Sequence, residues 1–291
     1  MNGEESMLFG ASTFIWTSPF SNERLPLIDH VKQLGFDIIE ICIEDPDMID
    51  VAAIAARLKQ TGLKASVCGA FGPERDLSAE DLGIRENGVV YLRRCVEIAA
   101  GLGADSVVGP MYSATGKTRM LEASARREQW RLAVENIRRA AEIAACYGVT
   151  LGVEPLNRFE TDLVNTVDQG LRMIADIDRP NVGLLLDTFH MNIEEKDIPA
   201  ALRRAAGRIV EFHACASDRG TPGEDHLPWP AIVGALRDAA FSGPVVIEAF
   251  TPAIKEIARA VSIWRPLAES DDALAENGLR HLRAVFAPAG M

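Results

Sequence analysis

Short apolar runs alternate with longer amphipathic stretches along the chain. The runs lie near Phe9 to Trp16, Ile38 to Ile43, Lys64 to Val67, Ser106 to Gly109, Thr150 to Glu154, Val182 to Asp187, Ile209 to His213 and Val245 to Glu248. Between them, stretches such as Asn87 to Leu102 and Ala123 to Ala145 repeat an apolar residue every three or four positions amid Arg and Glu, which is helical spacing. Five junctions, QLGFDIIEI, QTGLKASV, GLGADSVVG, CYGVTLGV and FSGPVVIE, place Gly between a helical stretch and an apolar run. Glycine there closes a helix in the left-handed conformation, so each junction reads as helix stop and strand start. Eight such alternations predict an α/β fold, a (β/α)8 TIM barrel. A doubly wound open sheet is the other arrangement this pattern allows.

Local signals set the expected register. Ser78 with Asp81 three residues on resembles a capping box, and Asp197 ahead of Pro199 reads as an N-cap before an early-helix proline. No Ser/Gly-rich or Pro-rich linker divides the chain. The expectation is a single domain over residues 1–291, with a C-terminal helical segment from about residue 266 lying on the outside of the barrel.

Composition narrows the partners. The 291 residues include 48% hydrophobic and 25% charged ones, enough for one large barrel core. Thirty Lys and Arg against 42 Asp and Glu give a formal charge of −12, which repels phosphate backbones and anionic headgroups. Neither nucleic acid nor a membrane surface is expected as a partner. The five cysteines, Cys42, Cys68, Cys95, Cys146 and Cys215, are scattered and odd in number, so no disulfide framework or zinc knuckle is indicated and a cytoplasmic location is expected. The opening MNGEESMLFG lacks a basic segment followed by an apolar stretch, and no later run is long enough to cross a bilayer. SATGKT ends like a phosphate loop, but its first required glycine would fall at Met111, and no GxGxxG follows a strand. A nucleotide cofactor is not expected.

Chemistry in such barrels collects at the C-terminal ends of the strands. The last four runs end in Glu154, Asp187, His213 and Glu248. Three converging carboxylates repel one another and lose hydration unless a cation or protons compensate them. Three oxygen ligands with one imidazole suit a divalent ion such as Mn²⁺, Mg²⁺ or Co²⁺, with zinc still admissible. Taken singly, a strand-terminal Asp that caps a helix or a hydrogen-bonded core His is the commoner case. Four in successive strands reverse that weighting.

The segments GVEPLNRFE, LLLDTFHMNIEE, EFHACASDRGTPGEDHLPW and VVIEAF resemble, in order and spacing, the D-tagatose 3-epimerase / D-allulose (psicose) 3-epimerase family of ketose 3-epimerases. The likeness is specific in the second half of the chain and looser in the first. The resemblance implies a metal, Mn²⁺ first and Mg²⁺ or Co²⁺ as alternatives, held by Glu154, Asp187, His213 and Glu248. It implies that Glu154 and Glu248 double as the acid/base pair. Glu160, His190 and Arg219 match its substrate-binding positions around O1 to O3, and homo-oligomers, dimers or tetramers, are its usual state. The implied reaction inverts carbon 3 of a free ketose (D-tagatose, D-fructose/D-allulose or ribulose) through a cis-enediolate.

Inversion independently requires a proton-handling group on each face of the carbon. General acid/base catalysis contributes about 10²- to 10⁴-fold, so further stabilisation of the oxyanion is needed. Plainer readings stand beside these. Glu160 has Asn157 and Arg158 as neighbours and Arg219 has Asp218, so both could make loop ion pairs. Phe14, Trp16, Cys68, Met111 and Tyr112 could wall a pocket or simply pack, Trp229 reads as structural, and Glu40 and Glu44 carry no assignment. Hydroxypyruvate isomerase, inosose dehydratase, an endonuclease IV-type nuclease and a non-catalytic sugar-binding barrel remain as alternatives. Five histidines and the negative charge weigh against the nuclease.

Overall fold

Each apolar run supplies one strand of a closed parallel barrel. In the computed structural model, which describes residues 7–287, the strands are β1 (Phe9–Ser12), β2 (Ile38–Ile43), β3 (Lys64–Gly69), β4 (Ser106–Gly109), β5 (Thr150–Val153), β6 (Val182–Asp187), β7 (Ile209–His213) and β8 (Val245–Ile247). Each pairs with the next in parallel, and β8 closes on β1. The helices are α1 (Pro26–Gln33), α2 (Val51–Thr61), α3 (Leu82–Leu102), α4 (Ala123–Cys146), α5 (Val167–Ile177), α6 (Thr188–Glu194), α7 (Ile198–Arg204), α8 (Trp229–Asp238), α9 (Lys255–Ala260) and α10 (Asp271–Phe286). The predicted (β/α)8 barrel is the fold that forms. The opening MNGEES and the last four residues lie outside the described residues. Among the described residues no helix is long and apolar enough to cross a membrane.

Three local expectations are corrected. The first strand stops at Ser12 rather than Trp16, because the Ser12 hydroxyl accepts the Phe14 N–H (3.4 Å) and a 3-10 turn follows over Thr13–Ile15. Ser78 is not a helix cap: its N–H and hydroxyl both donate to Asp76, at 2.8 and 2.7 Å. Helix α3 instead starts at Leu82, with Asp81 accepting the Ile84 N–H (3.0 Å). The doubly wound sheet is excluded by the β8–β1 pairing. Asp197 does cap α7, accepting the Ala200 N–H at 2.9 Å, with Pro199 in the first turn. Helix α10 lies on the outside, where Asp272 accepts from Trp16 Nε1 (2.7 Å) at one end and Phe286 meets the Phe9 ring edge-on at the other.

Side chains on a strand alternate between faces, and the two faces here differ in kind. Ile39, Ile41, Ile43, Val67, Val107, Leu151, Val153, Leu184, Leu186, Phe212, Val245 and Ile247 belong to the main core that joins barrel to helices. The inner face holds Glu40, Cys42, Ser66, Cys68, Val108, Leu185, Asp187, Glu211 and His213, all buried. The barrel interior is thus a polar layer inside an apolar shell.

One irregularity sets which residues of β7 face inward. Leu184 pairs with Ile209, but Leu185 pairs with Glu211, leaving Val210 as an extra residue. A strand slipped by one residue turns every side chain to the other face. Without the extra residue, Asp187 would oppose Phe212; with it, Asp187 opposes His213. Gly183 makes room for the bulge, since a Cβ there would lie 2.6 Å from both Arg208 O and Val210 Cγ2. Gly183→Ala is therefore expected to lower stability by about 1–3 kcal/mol in urea denaturation, and Gly234→Ala, mid-helix with nothing within 4 Å of its Cβ, to be neutral or stabilising. Equal stability of the two variants would refute the packing account of the bulge.

Candidate active site

Glu154, Asp187, His213 and Glu248 come together at the C-terminal rim. One ligand atom from each lies within 4.8 Å of all the others, and all four side chains are buried. His213 Nδ1 sits 4.0 Å from Asp187 Oδ2 and 3.7 Å from Glu248 Oε2 and has no hydrogen-bond partner. A buried ring nitrogen without a partner, facing carboxylates, fits a cation better than it fits packing. The opposite nitrogen, Nε2, is 2.8 Å from Glu40 Oε2 and 3.6 Å from Glu211 Oε1. A carboxylate behind a histidine fixes its tautomer and raises its basicity, which is how metal-ligating histidines are usually oriented. The residues present therefore fit a divalent ion.

The electrostatics show the same demand. Burial, and then the Glu248 charge, hold Glu154 well above the usual carboxylate range. Burial raises Asp187 to about 6, although Arg219 opposes the shift. Burial would raise Glu248 too, but the Arg219 guanidinium and His213 hold it below its ordinary value. Burial lowers the His213 value, yet Glu40 and Glu248 outweigh it and leave the ring well above the usual imidazole range. Beneath this layer, burial lifts Glu211 to about 7 against the pull of His213. The like charges in the barrel are tolerated only by retaining protons or gathering cations.

Arg219 is the organic cation nearest to hand. It is 3% exposed and takes a left-handed backbone, φ 69°, uncommon for a residue with a Cβ. Its Nη1 donates to Asp187 Oδ2 (3.0 Å) and to Glu248, and its guanidinium lies 4.4 Å from the Phe189 and 5.0 Å from the Phe250 ring centres. Asp218 turns away, accepting the Gly220 N–H and facing Arg265, so the loop ion-pair reading fails.

His190 is buried beside it. The Asn157 backbone N–H donates to Nδ1 (3.0 Å), which assigns the proton of the neutral ring to Nε2. Burial, then Arg219, keep the ring well below its usual value and so neutral. Nε2 lies 2.9 Å from Arg219 Nη2 and 3.7 Å from Glu154 Oε1. Arg219 Nη2 and His190 Nε2 thus lie side by side at the edge of the carboxylate centre.

The remaining candidates separate. Glu160 stays half-buried at one remove, accepting from Asn157 Nδ2 (2.8 Å), while Arg158 pairs with Glu194 instead. Phe14, Cys68 and Phe250 join the smaller inner apolar cluster, with Phe14 and Phe250 stacked at 5.2 Å. Met111 and Tyr112 are fully buried in the main core, and the Tyr112 hydroxyl donates to Val164 O. Trp16 is held by Asp272, and Trp229 is buried with its Nε1 donating to Asp225. Glu44 accepts from the Ser18 hydroxyl (2.7 Å) and burial raises its carboxyl, while Glu40 acquires a role behind His213. Sequence reasoning passed over Glu211. Its parity with His213, two residues on, was the available signal.

The chain matches the xylose isomerase-like TIM barrel family model over residues 28–285. It is 36% identical to a probable ketose 3-epimerase of Synechocystis sp. over 96% of each chain. It is 34% identical to an L-ribulose 3-epimerase of Mesorhizobium japonicum, covering 95% of this chain and 92% of that one. The chain belongs to the ketose 3-epimerase family. The solved D-allulose 3-epimerase of Methylomonas sp. in complex with D-allulose superposes on this ketose 3-epimerase family member with a TM-score of 0.90, 29% identity and 96% coverage of each chain. In this family member, divalent-ion affinity is expected to rise from about pH 5 to about pH 8, because an ion entering this cluster would displace protons from Glu154 and from Asp187, whose carboxyl burial raises to about 6. Calorimetric titration across that range checks the sign, and a flat profile would contradict it. Glu40→Gln should weaken the affinity about 10- to 100-fold.

Proposed function

We propose that this chain is an isomerase that inverts carbon 3 of a free ketohexose or ketopentose, with D-tagatose, D-fructose/D-allulose and ribulose as the candidate substrates. The observation that carries the reading is the pairing of Glu154 with Glu248 around one buried cation-fitting centre, with two further donors beside it. Glu154, Asp187, His213 and Glu248 would hold a single divalent ion, manganese first and magnesium or cobalt as alternatives. Such an ion, when bound, polarises the ketose oxygens and stabilises negative charge developing on them.

The chain's own residues do the rest. Glu154 and Glu248 follow the ends of different strands, β5 and β8, so a sugar between them would present opposite faces of carbon 3 to the two carboxylates. One removes the proton, leaving a cis-enediolate, and the other returns a proton to the opposite face. Their pKa values are driven apart, Glu154 upward by burial and Glu248 downward by Arg219 and His213, which suits one to hold a proton while the other accepts one. His190 Nε2 and Arg219 Nη2 lie side by side at this centre, and O2 of the ketose would accept from them. Glu160, through Asn157, would steady His190 and reach the O1 end of the sugar. A homo-oligomer, dimer or tetramer, in the cytoplasm completes the reading by analogy with the family.

Incubation of D-fructose, D-tagatose and D-ribulose with the enzyme and Mn²⁺ in D₂O, followed by proton NMR, should show deuterium entering at carbon 3 as the epimer appears. Exchange at carbon 1, or loss of water, would instead establish an aldose–ketose isomerase or a dehydratase. Glu154→Gln and Glu248→Gln should each remove nearly all turnover while thermal melting shows a folded protein, and retained activity in either would defeat the two-base assignment. Arg219→Ala is expected to reduce kcat/KM by about 10²- to 10³-fold, the usual loss for one oxyanion donor.

A further inference from the structure

The inner wall carries a second group of ligand-type side chains, on strands that contribute nothing to the Glu154 centre. Glu40, Cys42 and Cys68 each place one ligand atom within 4.8 Å of the other two. Cys42 and Cys68 are directly paired across β2 and β3, and Glu40, two residues before Cys42, faces the same side. Cys42 Sγ lies 3.9 Å from Glu40 Oε1 and 3.1 Å from the Ser12 hydroxyl on β1. All of these side chains are buried, and both thiols are free.

Two thiols with a carboxylate and a hydroxyl form a much softer donor set than three carboxylates with an imidazole. We propose that Glu40, Cys42 and Cys68 form a second, thiophilic metal site that takes an ion of the zinc or cadmium class and, when filled, inhibits the enzyme by drawing Glu40 away from His213. Binding replaces two S–H bonds by two sulfur–metal bonds and releases two protons to solvent, with no change of oxidation state. Only an ion with high thiolate affinity can displace those protons, since the hydrogen bond with Cys42 and burial raise the Cys68 thiol, and burial raises that of Cys42. Manganese and magnesium, which prefer oxygen, are thereby directed to the Glu154 centre. Glu40 belongs to both groups, as its Oε1 faces Cys42 and its Oε2 meets His213 Nε2 at 2.8 Å. The inhibitory half of the inference rests on His213 being a ligand of the catalytic ion; the site itself does not.

The test titrates cadmium into the full chain with Mn²⁺ in excess. A cadmium–thiolate charge-transfer absorption saturating at one ion per chain is expected, together with loss of epimerisation. Cys42→Ser and Cys68→Ser should each abolish the absorption and make the variant's own rate at least about tenfold less sensitive to cadmium, while Cys146→Ser, an exposed thiol, leaves both effects in place. Asp187→Asn should keep the absorption, which separates this site from the Glu154 centre whether or not the chain turns over ketoses. A second measurement needs no variant: zinc-edge X-ray absorption of the wild type with one equivalent of zinc should show two sulfur neighbours at about 2.3 Å. Only oxygen and nitrogen neighbours, or a cadmium absorption that survives both Cys42→Ser and Cys68→Ser, would overturn the proposal.

Discussion

Glu40, Glu154, Asp187, Glu211 and Glu248 all point into one barrel and are all buried. Ionised together without compensation they would cost far more than a protein's net stability of about 5–15 kcal/mol. Most other features of the interior follow from this constraint. His213 stands between the two acidic layers, with Nε2 toward Glu40 and Glu211 and Nδ1 toward Asp187 and Glu248. Arg219 enters from a loop to meet Asp187 and Glu248, and Phe189 and Phe250 cover its guanidinium from water. A barrel filled with Val, Ile and Leu would need neither. This one keeps most of those residues on its outer face, with Val108 and Leu185 facing inward, and the apolar shell against the helices supplies the burial that holds the polar interior in place.

Placement of the charges depends on the extra residue in β7. Asp187 and His213 oppose each other only because Val210 is accommodated beside Gly183. An unbulged β7 would turn Phe212 into the site and bury the charges of Glu211 and His213 against the helices, where there is nothing to compensate them. The register is therefore selected twice over, by the apolar demand of the outer face and by the electrostatic demand of the inner one.

The fold and the clustering of Glu154, Asp187, His213 and Glu248 were largely legible in the chain because both follow from periodicity. Alternation places the strands, and the strand ends place Glu154, Asp187, His213 and Glu248. The residues that a period cannot reveal were the ones misread or missed. Ser78 has the composition of a cap, but the Asp76 carboxylate claims its N–H and hydroxyl. Met111 and Tyr112 follow a strand end, a position that left pocket wall and packing both open, and both are buried in the main core. Glu211 shares the parity of His213, beyond the bulge, but it lies one layer below the strand end, where no end-of-strand signal marks it. Arg219 could be matched to a position on a loop, whereas its inward turn depends on a left-handed backbone that only the three-dimensional structure displays.

Charge arithmetic links that inward turn to the proposed chemistry. With one glutamate holding the proton it will return, the two other carboxylates carry two negative charges against the one positive charge of Arg219, a deficit that a divalent ion more than makes good. When the other glutamate then takes a proton from carbon 3, the protein side gains one positive charge and the sugar becomes an enediolate with one negative charge. The total charge of the buried centre is unchanged by the step, so no ion has to be drawn in from solvent while the barrier is crossed. Losing Arg219 would remove one positive charge from beside Asp187 and Glu248 before any sugar arrived. The strained backbone that turns this residue inward, a cost of about 1–3 kcal/mol, is accordingly offset by electrostatics that act in the resting site as well as on the intermediate.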